Sequence, residues 1–325
     1  MKNILVTGGA GYIGSHMVDM LVKNGYRVVV IDDLSTGHKD AVLGAELIIV
    51  NLAEKIALEE IFKKYKFAAV MHFAGFIQVG ESVQKPDKYY QNNLAASLNL
   101  LDVMLKYGVK NFIFSSTAAV YGEPQYTPID TEHPKNPLNP YGNSKWMLEQ
   151  ILADYDRAYG LKSICLRYFN AAGADPGGRL GERHNPETHL IPLILQVALG
   201  QRKAIDIYGD DYPTKDGTCI RDYIHIVDLC RAHLLALQAL SNGASSNAYN
   251  LGNGQGYSVL EVIEAVQEVT RRPIAIEKSP RRVGDPAVLV ADATRAQREL
   301  GWQPQFPELK TIVEHAWRFA QHNML

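Results

Sequence analysis

The sequence is poor in cysteine. Cys165, Cys219 and Cys230 are an odd set, and no two of them form a C-x-x-C pair. This excludes a disulfide framework or a cysteine-based zinc cluster, and it fits a reducing compartment. Long apolar runs are also missing: none approaches the ~18–20 residues needed to cross a bilayer. The short apolar stretch near the N-terminus stops at Gly8, too soon for a signal sequence. No sign of charge dominates, since 33 Lys and Arg face 35 Asp and Glu for a formal net charge of −2. Such a balance gives no general field for gripping a polyanion. Internal repeats and low-complexity tracts are absent too. The expectation is a cytoplasmic protein with no membrane and no nucleic-acid partner.

What is present is ordinary globular material: 325 residues, 46% hydrophobic and 21% charged, enough for one large domain or two. Short apolar, β-branched runs at 4–7, 27–31, 46–50, 68–72, 111–115 and 162–167 read as strands. Between them, 12–24, 53–64, 86–107 and 141–159 carry helical periodicity. This alternation predicts an α/β fold, a doubly wound parallel sheet covered on both faces. Residues 171–187 are rich in Gly and Pro and read as a long connection. Beyond them, 224–240 reads as a helix, 248–251 as a strand able to return to the first sheet, and 256–325 as carrying three helices. The second, smaller domain is therefore expected to be interleaved with the first.

Between the first strand and the first helix lies Gly8-Gly9-Ala10-Gly11-Tyr12-Ile13-Gly14. Glycines at Gly8, Gly11 and Gly14 permit a tight turn, close approach of backbone to a pyrophosphate, and packing of helix on strand. The helix N-terminus offers N–H groups and partial positive charge to phosphates. Asp32 ends the second strand, where a carboxylate accepts from ribose hydroxyls and repels a 2′-phosphate. The implied cofactor is NAD rather than NADP.

Tyr141 and Lys145 stand four apart in a helical stretch, which puts them on one face about 6 Å apart at Cβ. An ammonium there is expected to lower the phenol pKa, and a phenol so poised exchanges protons with an alcohol. Thr117, read as lying just past a strand end, brings a hydroxyl to the same place. These three are the candidate catalytic residues. The 10 histidines form no His-x-x-x-His pair and no cluster with cysteine, so no metal is expected.

Together these features resemble the extended short-chain dehydrogenase/reductase family. Longer strings narrow the resemblance to its UDP-hexose 4-epimerases: GGAGYIGSH, HFAG with VGESVQKP, NFIFSSTAAVYG, RYFN, YGDDYPT, DGTCIRDYIH and YNLG. The resemblance implies a reversible interconversion of UDP-galactose and UDP-glucose, by oxidation at carbon 4 to a 4-keto sugar and re-reduction with bound NAD. It implies an NAD-binding Rossmann domain at 1–170 with a return segment at 222–252, and a UDP-sugar domain at 171–221 and 253–325. It also implies a homodimer built on the helices that begin near Pro86 and Tyr141. Implied cofactor contacts are Gly8, Gly11, Tyr12, Ile13, Gly14, Asp32, Asn51, Leu52, Phe73, Ala74, Gly75, Asn92, Ser115, Tyr141, Lys145 and Tyr168. Implied substrate contacts are Thr117, Tyr141, Asn170, His189, Leu190, Tyr208, Arg221, Arg282 and Asp285, with the two arginines on the diphosphate and Tyr208 near the uracil.

Related sugar-nucleotide 4,6-dehydratases carry Asp-Glu after the threonine. Here Ala118 and Ala119 follow, and neither can move a proton, which opposes elimination. A net reductase or a non-catalytic NAD sensor remain the other readings; the sensor has no use for Tyr141 and Lys145. The chain departs from the epimerase pattern at several points. Asn51 replaces an aspartate near the adenine. Ile77 replaces a lysine that reaches the NAD phosphates. His189 replaces an asparagine at the substrate diphosphate. Leu289 replaces a bulkier tyrosine, which raises the alternative that UDP-N-acetylglucosamine and UDP-N-acetylgalactosamine are also accepted.

Overall fold

The computed structural model describes residues 2–282 and 284–322; the last three residues of the sequence reading's tail, 323–325, lie outside it. Six strands come first: β1 (Asn3–Thr7), β2 (Arg27–Asp32), β3 (Glu46–Ile49), β4 (Phe67–His72), β5 (Asn111–Thr117) and β6 (Lys162–Tyr168). Next are β7 (Asn170–Ala172), β8 (Ile205–Tyr208), β9 (Ile220–His225) and β10 (Asn247–Leu251), then β11 (Gly256–Ser258), β12 (Ile276–Ser279) and β13 (Val288–Leu289). The helices are α1 (Tyr12–Lys23), α2 (Lys55–Lys64), α3 (Val79–Gln84), α4 (Pro86–Tyr89), α5 (Ala96–Lys106), α6 (Pro140–Tyr159), α7 (Leu190–Ala198), α8 (Ile226–Ser241), α9 (Val259–Thr270), α10 (Thr294–Leu300) and α11 (Leu309–His322).

A seven-stranded sheet in the order β10-β6-β5-β4-β1-β2-β3 forms the centre. Every pairing in it is parallel. Side chains alternate across a strand. Ile4 and Val6 of β1 therefore join one core, with Val28, Val30 and Ile113, packed beneath α1 and α8. Leu5 joins the other, with Val29, Ile31, Phe112 and Phe114, beneath α2, α5 and α6. Burial on both faces is why these strands read as unbroken apolar runs.

The winding reverses between β1 and β4, which opens a crevice at the C-terminal ends of the strands. At that reversal Thr7 Oγ1 and His72 Nδ1 lie 2.7 Å apart, and His72 Nε2 is 2.9 Å from Ser97 Oγ. Burial pushes the His72 ring down to about 3, so it works as a neutral tie between strands. A second layer is built from the small sheet β11-β9-β13, with β7 on β9, and from the pair β12-β8. Its own apolar core gathers side chains of α7, α9 and α11.

The structure differs from the sequence reading at three boundaries. The helix expected over 86–107 is continuous from Pro86 to Lys106, but its middle, Tyr90–Ala95, is π-helical and joins α4 to α5. Within it Asn93 turns inward, accepting from Phe76 N (2.8 Å) and donating to Phe76 O (2.9 Å). Ile224 and His225, read as helix, belong to β9; His225 instead caps α8 by accepting from Val227 N (3.1 Å). Thr117, expected just past the strand, is the last residue of β5. Among the described residues no helix is long and apolar enough to cross a membrane.

Candidate active site

The three glycines of the first turn do different things. Gly8 has φ +70°, and a Cβ there would lie 2.5 Å from Ala74 N. A Cβ at Gly14 would lie 2.0 Å from Gly8 O, so α1 approaches the turn only without a side chain. At Gly11 the nearest atom to an added Cβ is Gly8 O at 3.4 Å. Gly11 therefore keeps a face bare rather than a contact tight. It is the N-cap of α1 and supplies no side-chain cap, which leaves the first-turn N–H groups facing outward. These residues fit a pyrophosphate.

Asp32 is held at the tip of β2 by backbone: Oδ2 accepts from Ala10 N (2.9 Å) and Oδ1 from Leu34 N (2.8 Å). Burial raises its pKa, against the pull of those two donors. Each oxygen keeps a lone pair for a ribose hydroxyl. Asn51 is already engaged, donating to Asp33 Oδ2 just after β2 (2.6 Å) and accepting from Ala53 N in its own turn (2.8 Å). Leu52 is buried in the core under α2. Tyr12 Oη donates to Gly173 O (2.7 Å), tying the glycine turn to the connection after β7, and Ile13 packs on the core beside α8.

Across the crevice, Phe73 N donates to Thr7 O (3.0 Å), and Ala74 lies against Gly8. A Cβ on Gly75 would meet Asn93 Oδ1 at 3.2 Å and Lys145 Nζ at 3.5 Å, so this backbone passes directly beside the lysine. Asn92 Nδ2 donates to Asn93 Oδ1 (3.0 Å).

Tyr141 and Lys145 lie in the first turns of α6, whose N-cap Asn139 accepts from Gly142 N (2.9 Å). Both side chains are buried. Burial raises the Tyr141 phenol above its ordinary value, and a hydrogen bond with Thr117 partly offsets this. The lowering expected from Lys145 is not found. The ammonium instead donates to Ser115 O (3.1 Å) and lies over the Phe114 ring at 4.9 Å. Burial pushes Lys145 down to about 8, with Glu149 opposing. Thr117 Oγ1 accepts from Ala119 N (3.1 Å), and Ser115 Oγ donates to Tyr168 Oη (3.1 Å). Tyr141, Lys145, Thr117, Ser115 and Tyr168 thus converge at the ends of β5 and β6.

The residues assigned to substrate fall into separate groups. Arg221 and Asp285 form an ion pair, with Arg221 also donating to Ile220 O (2.7 Å). The Arg282 guanidinium stacks over the Tyr208 ring at 3.9 Å, so that face of Tyr208 is covered by a cation. Asn170 Nδ2 donates to Asp222 O (3.0 Å), and Leu190 packs into the second core. His189 is bound to Glu182. Leu289 pairs with Arg221 and packs on Val120, Tyr121 and Ile129, so the protein's own core engages it. That packing lends no support to a widened sugar pocket.

The sequence reading missed the polar support of this site. Glu149, one turn beyond Lys145 on the same face, accepts from Arg167 and from Ser116 Oγ (2.5 Å). Arg167 also donates to Tyr121 Oη (2.9 Å), which donates to Asn250 Oδ1 (2.6 Å). Continuing the Tyr-x-x-x-Lys period by four residues would have found Glu149. Asp222 was likewise missed: it accepts from Asn253 N (2.8 Å), Gly254 N (3.0 Å) and Ala291 N (3.1 Å), joining two connections to β9.

Comparison with known proteins agrees with this geometry. The UDP-glucose 4-epimerase of Halalkalibacterium halodurans is 52% identical over 98% of this chain and 96% of its own length. The crystal structure of UDP-glucose 4-epimerase from Brucella ovis in complex with NAD superposes with a TM-score of 0.96, at 46% identity and 98% coverage of both chains. That from Bifidobacterium longum in complex with NAD+ and UDP gives 0.94 at 39% identity, covering 99% of both. Residues 4–252 match the model of the NAD dependent epimerase/dehydratase family, and the chain belongs to that family.

Proposed function

We propose that this chain interconverts UDP-galactose and UDP-glucose by inverting carbon 4. The observation that carries the reading is the cluster of Tyr141, Lys145 and Thr117 at the strand ends, with Ala118 and Ala119 beside it. Tyr141 Oη, as phenolate, takes the proton of the 4-hydroxyl and later returns it. Thr117, hydrogen-bonded to the phenol, relays that proton and orients the sugar. Bound NAD supplies the hydride acceptor and then the hydride donor at carbon 4. Gly8, Gly11 and Gly14 receive its pyrophosphate, Asp32 its adenine ribose, and Lys145 its second ribose. With a pKa near 8, Lys145 is still largely an ammonium at neutral pH, held on Ser115 O beside the cofactor site. The alanines leave no acid–base pair for loss of water, which argues against a dehydratase.

Arg221 and Arg282 hold the substrate diphosphate, with Asp285 released from Arg221 to meet the uridine ribose, and Asn170, His189, Leu190 and Tyr208 complete the site. Residues 1–170 with 222–252 form the NAD domain, and 171–221 with 253–325 the UDP-sugar domain; the return of β10 to the main sheet supports this division. The protein acts in the cytoplasm as a homodimer. Exposed Val79 and Val83 on α3, and Met147 on the neighbouring α6, support that contact surface.

The deciding experiment is proton NMR of UDP-galactose with the purified protein and no added cofactor. UDP-glucose rising to a constant ratio is the expected result. A 4-keto-6-deoxy product, or consumption of added NADH in step with product, would overturn the reading.

A further inference from the structure

The eight residues up to the N-cap of α7 read Glu182-Arg183-His184-Asn185-Pro186-Glu187-Thr188-His189. This is Glu-x-His-x-x-Glu-x-His, a spacing that a search for His-x-x-x-His passes over. The fold closes the segment on itself, and one donor atom from each of Glu182, His184, Glu187 and His189 lies within 4.8 Å of the others. We propose that these four side chains form a closed zinc-binding site.

Four observations carry the proposal. The first is distance. Zinc bonds of about 2.0–2.1 Å in tetrahedral geometry set donor atoms roughly 3.3 Å apart. His184 Nδ1 lies 3.1 Å from Glu182 Oε1 and 3.7 Å from Glu187 Oε2, and His189 Nδ1 lies 3.8 Å from Glu187 Oε1; His189 Nδ1 is also in direct contact with Glu182 Oε1, a contact that must open for the ion to enter. The second is orientation. His184 Nδ1 is shielded from solvent between the Glu182 and Glu187 carboxylates, in ion-pair contact with Glu182. A ring nitrogen turned inward between two buried carboxylates is placed as a metal ligand is placed. The third is burial: both carboxylates are 6% exposed, unlike the solvated acids of an ordinary surface. The fourth is outer support. Glu187 Oε1 accepts from Thr188 N (2.7 Å) and His189 N (2.9 Å), and the His184 ring meets the edge of Tyr12 at 6.4 Å between centroids.

Two imidazoles with two carboxylates suit zinc and disfavour magnesium and calcium, which take all-oxygen shells. Four protein donors leave no open position, so the ion is structural and takes no part in hydride transfer. All four come from one short segment, and His189, engaged through Nδ1, keeps Nε2 for the substrate diphosphate that the proposed function assigns it. The metal would set the shape of the turn that delivers the α7 N-terminus, next to Tyr12 of the glycine loop.

The test uses the full chain, stripped with chelator, dialysed and titrated with zinc alone, with metal content measured after gel filtration. One zinc per chain is expected. Cobalt(II) in its place should give the intense visible bands of a tetrahedral site. His184→Gln and Glu187→Gln, each checked for folding by circular dichroism, should weaken zinc binding by about tenfold or more. Substoichiometric zinc, uptake unchanged in folded variants, or a weak octahedral cobalt spectrum would overturn the proposal and leave an ion-pair cluster only. If neither variant folds, the cobalt spectrum of the unaltered chain decides.

Discussion

Glu149 and Arg167 form a buried, two-pronged ion pair directly behind the face of α6 that carries Tyr141 and Lys145. Arg167 Nε reaches Glu149 Oε1 at 3.0 Å and Nη2 reaches Oε2 at 2.6 Å, with both side chains about 5% exposed. The pair ties α6 to β6 and sets the negative charge that keeps Lys145 protonated. Removing one member leaves the other buried and uncompensated. Glu149→Ala is expected to cost about 3–5 kcal/mol of stability. Urea denaturation checks this; a loss under about 1 kcal/mol, the worth of an exposed pair, would show that the pair does not brace the helix.

Lys145 should trade stability for activity. Its pKa in the protein, about 8, lies below the ordinary 10.5. Between those values the unfolded chain holds a proton that the native chain has lost. The group therefore makes stability rise as pH climbs from 8 to 10.5, and its full cost falls below pH 8. In cofactor-stripped protein, Lys145→Met should be the more stable form at pH 7, by at most about 3 kcal/mol, and should lack the alkaline rise. It should also be inactive. A variant less stable than its parent at pH 7 would refute this account of the lysine.

Tyr141→Phe removes one oxygen and leaves the packing of a buried ring. Turnover of UDP-galactose should fall by about 10²–10⁴-fold, the usual worth of acid–base catalysis. NAD carried through purification, read by absorbance after denaturation, should be unchanged. Unaltered turnover would take the base away from Tyr141.

Gly11→Ala and Gly14→Ala should fail differently. A Cβ at Gly14 meets Gly8 O at 2.0 Å, so the helix must move, and a stability loss of about 1–3 kcal/mol or more is expected. Gly11 has room, so Gly11→Ala should melt near its parent while retaining less NAD. Equal NAD content in Gly11→Ala would remove Gly11 from the phosphate site.

The central sheet was legible because each strand is buried on both faces, and the glycine turn and Tyr141/Lys145 because their chemistry is local. What stayed hidden has one physical cause. Glu149 meets Arg167, Tyr121 meets Asn250, and Asp222 meets Ala291 only once separate elements pack. The π-helical turn at Tyr90–Ala95 was hidden because one inserted residue scarcely disturbs an apolar period. The phenol was misjudged because spacing shows that Lys145 is near but not that its ammonium is turned to Ser115 O. The cluster at 182–189 was local, yet its spacing matches no helical face.

The strand β10 pairs with β6 at Tyr249↔Leu166, though the two are separated by the whole second layer's first strands. During synthesis on the ribosome, the outer edge of β6 therefore emerges long before its partner. At about 5–20 residues per second, it stays open for roughly 4–16 s. An open parallel edge of Ile164, Cys165 and Leu166 is a template for pairing with another nascent chain. A chain halted before residue 247 keeps that edge permanently, so premature termination yields a sticky product rather than a small NAD-binding fragment.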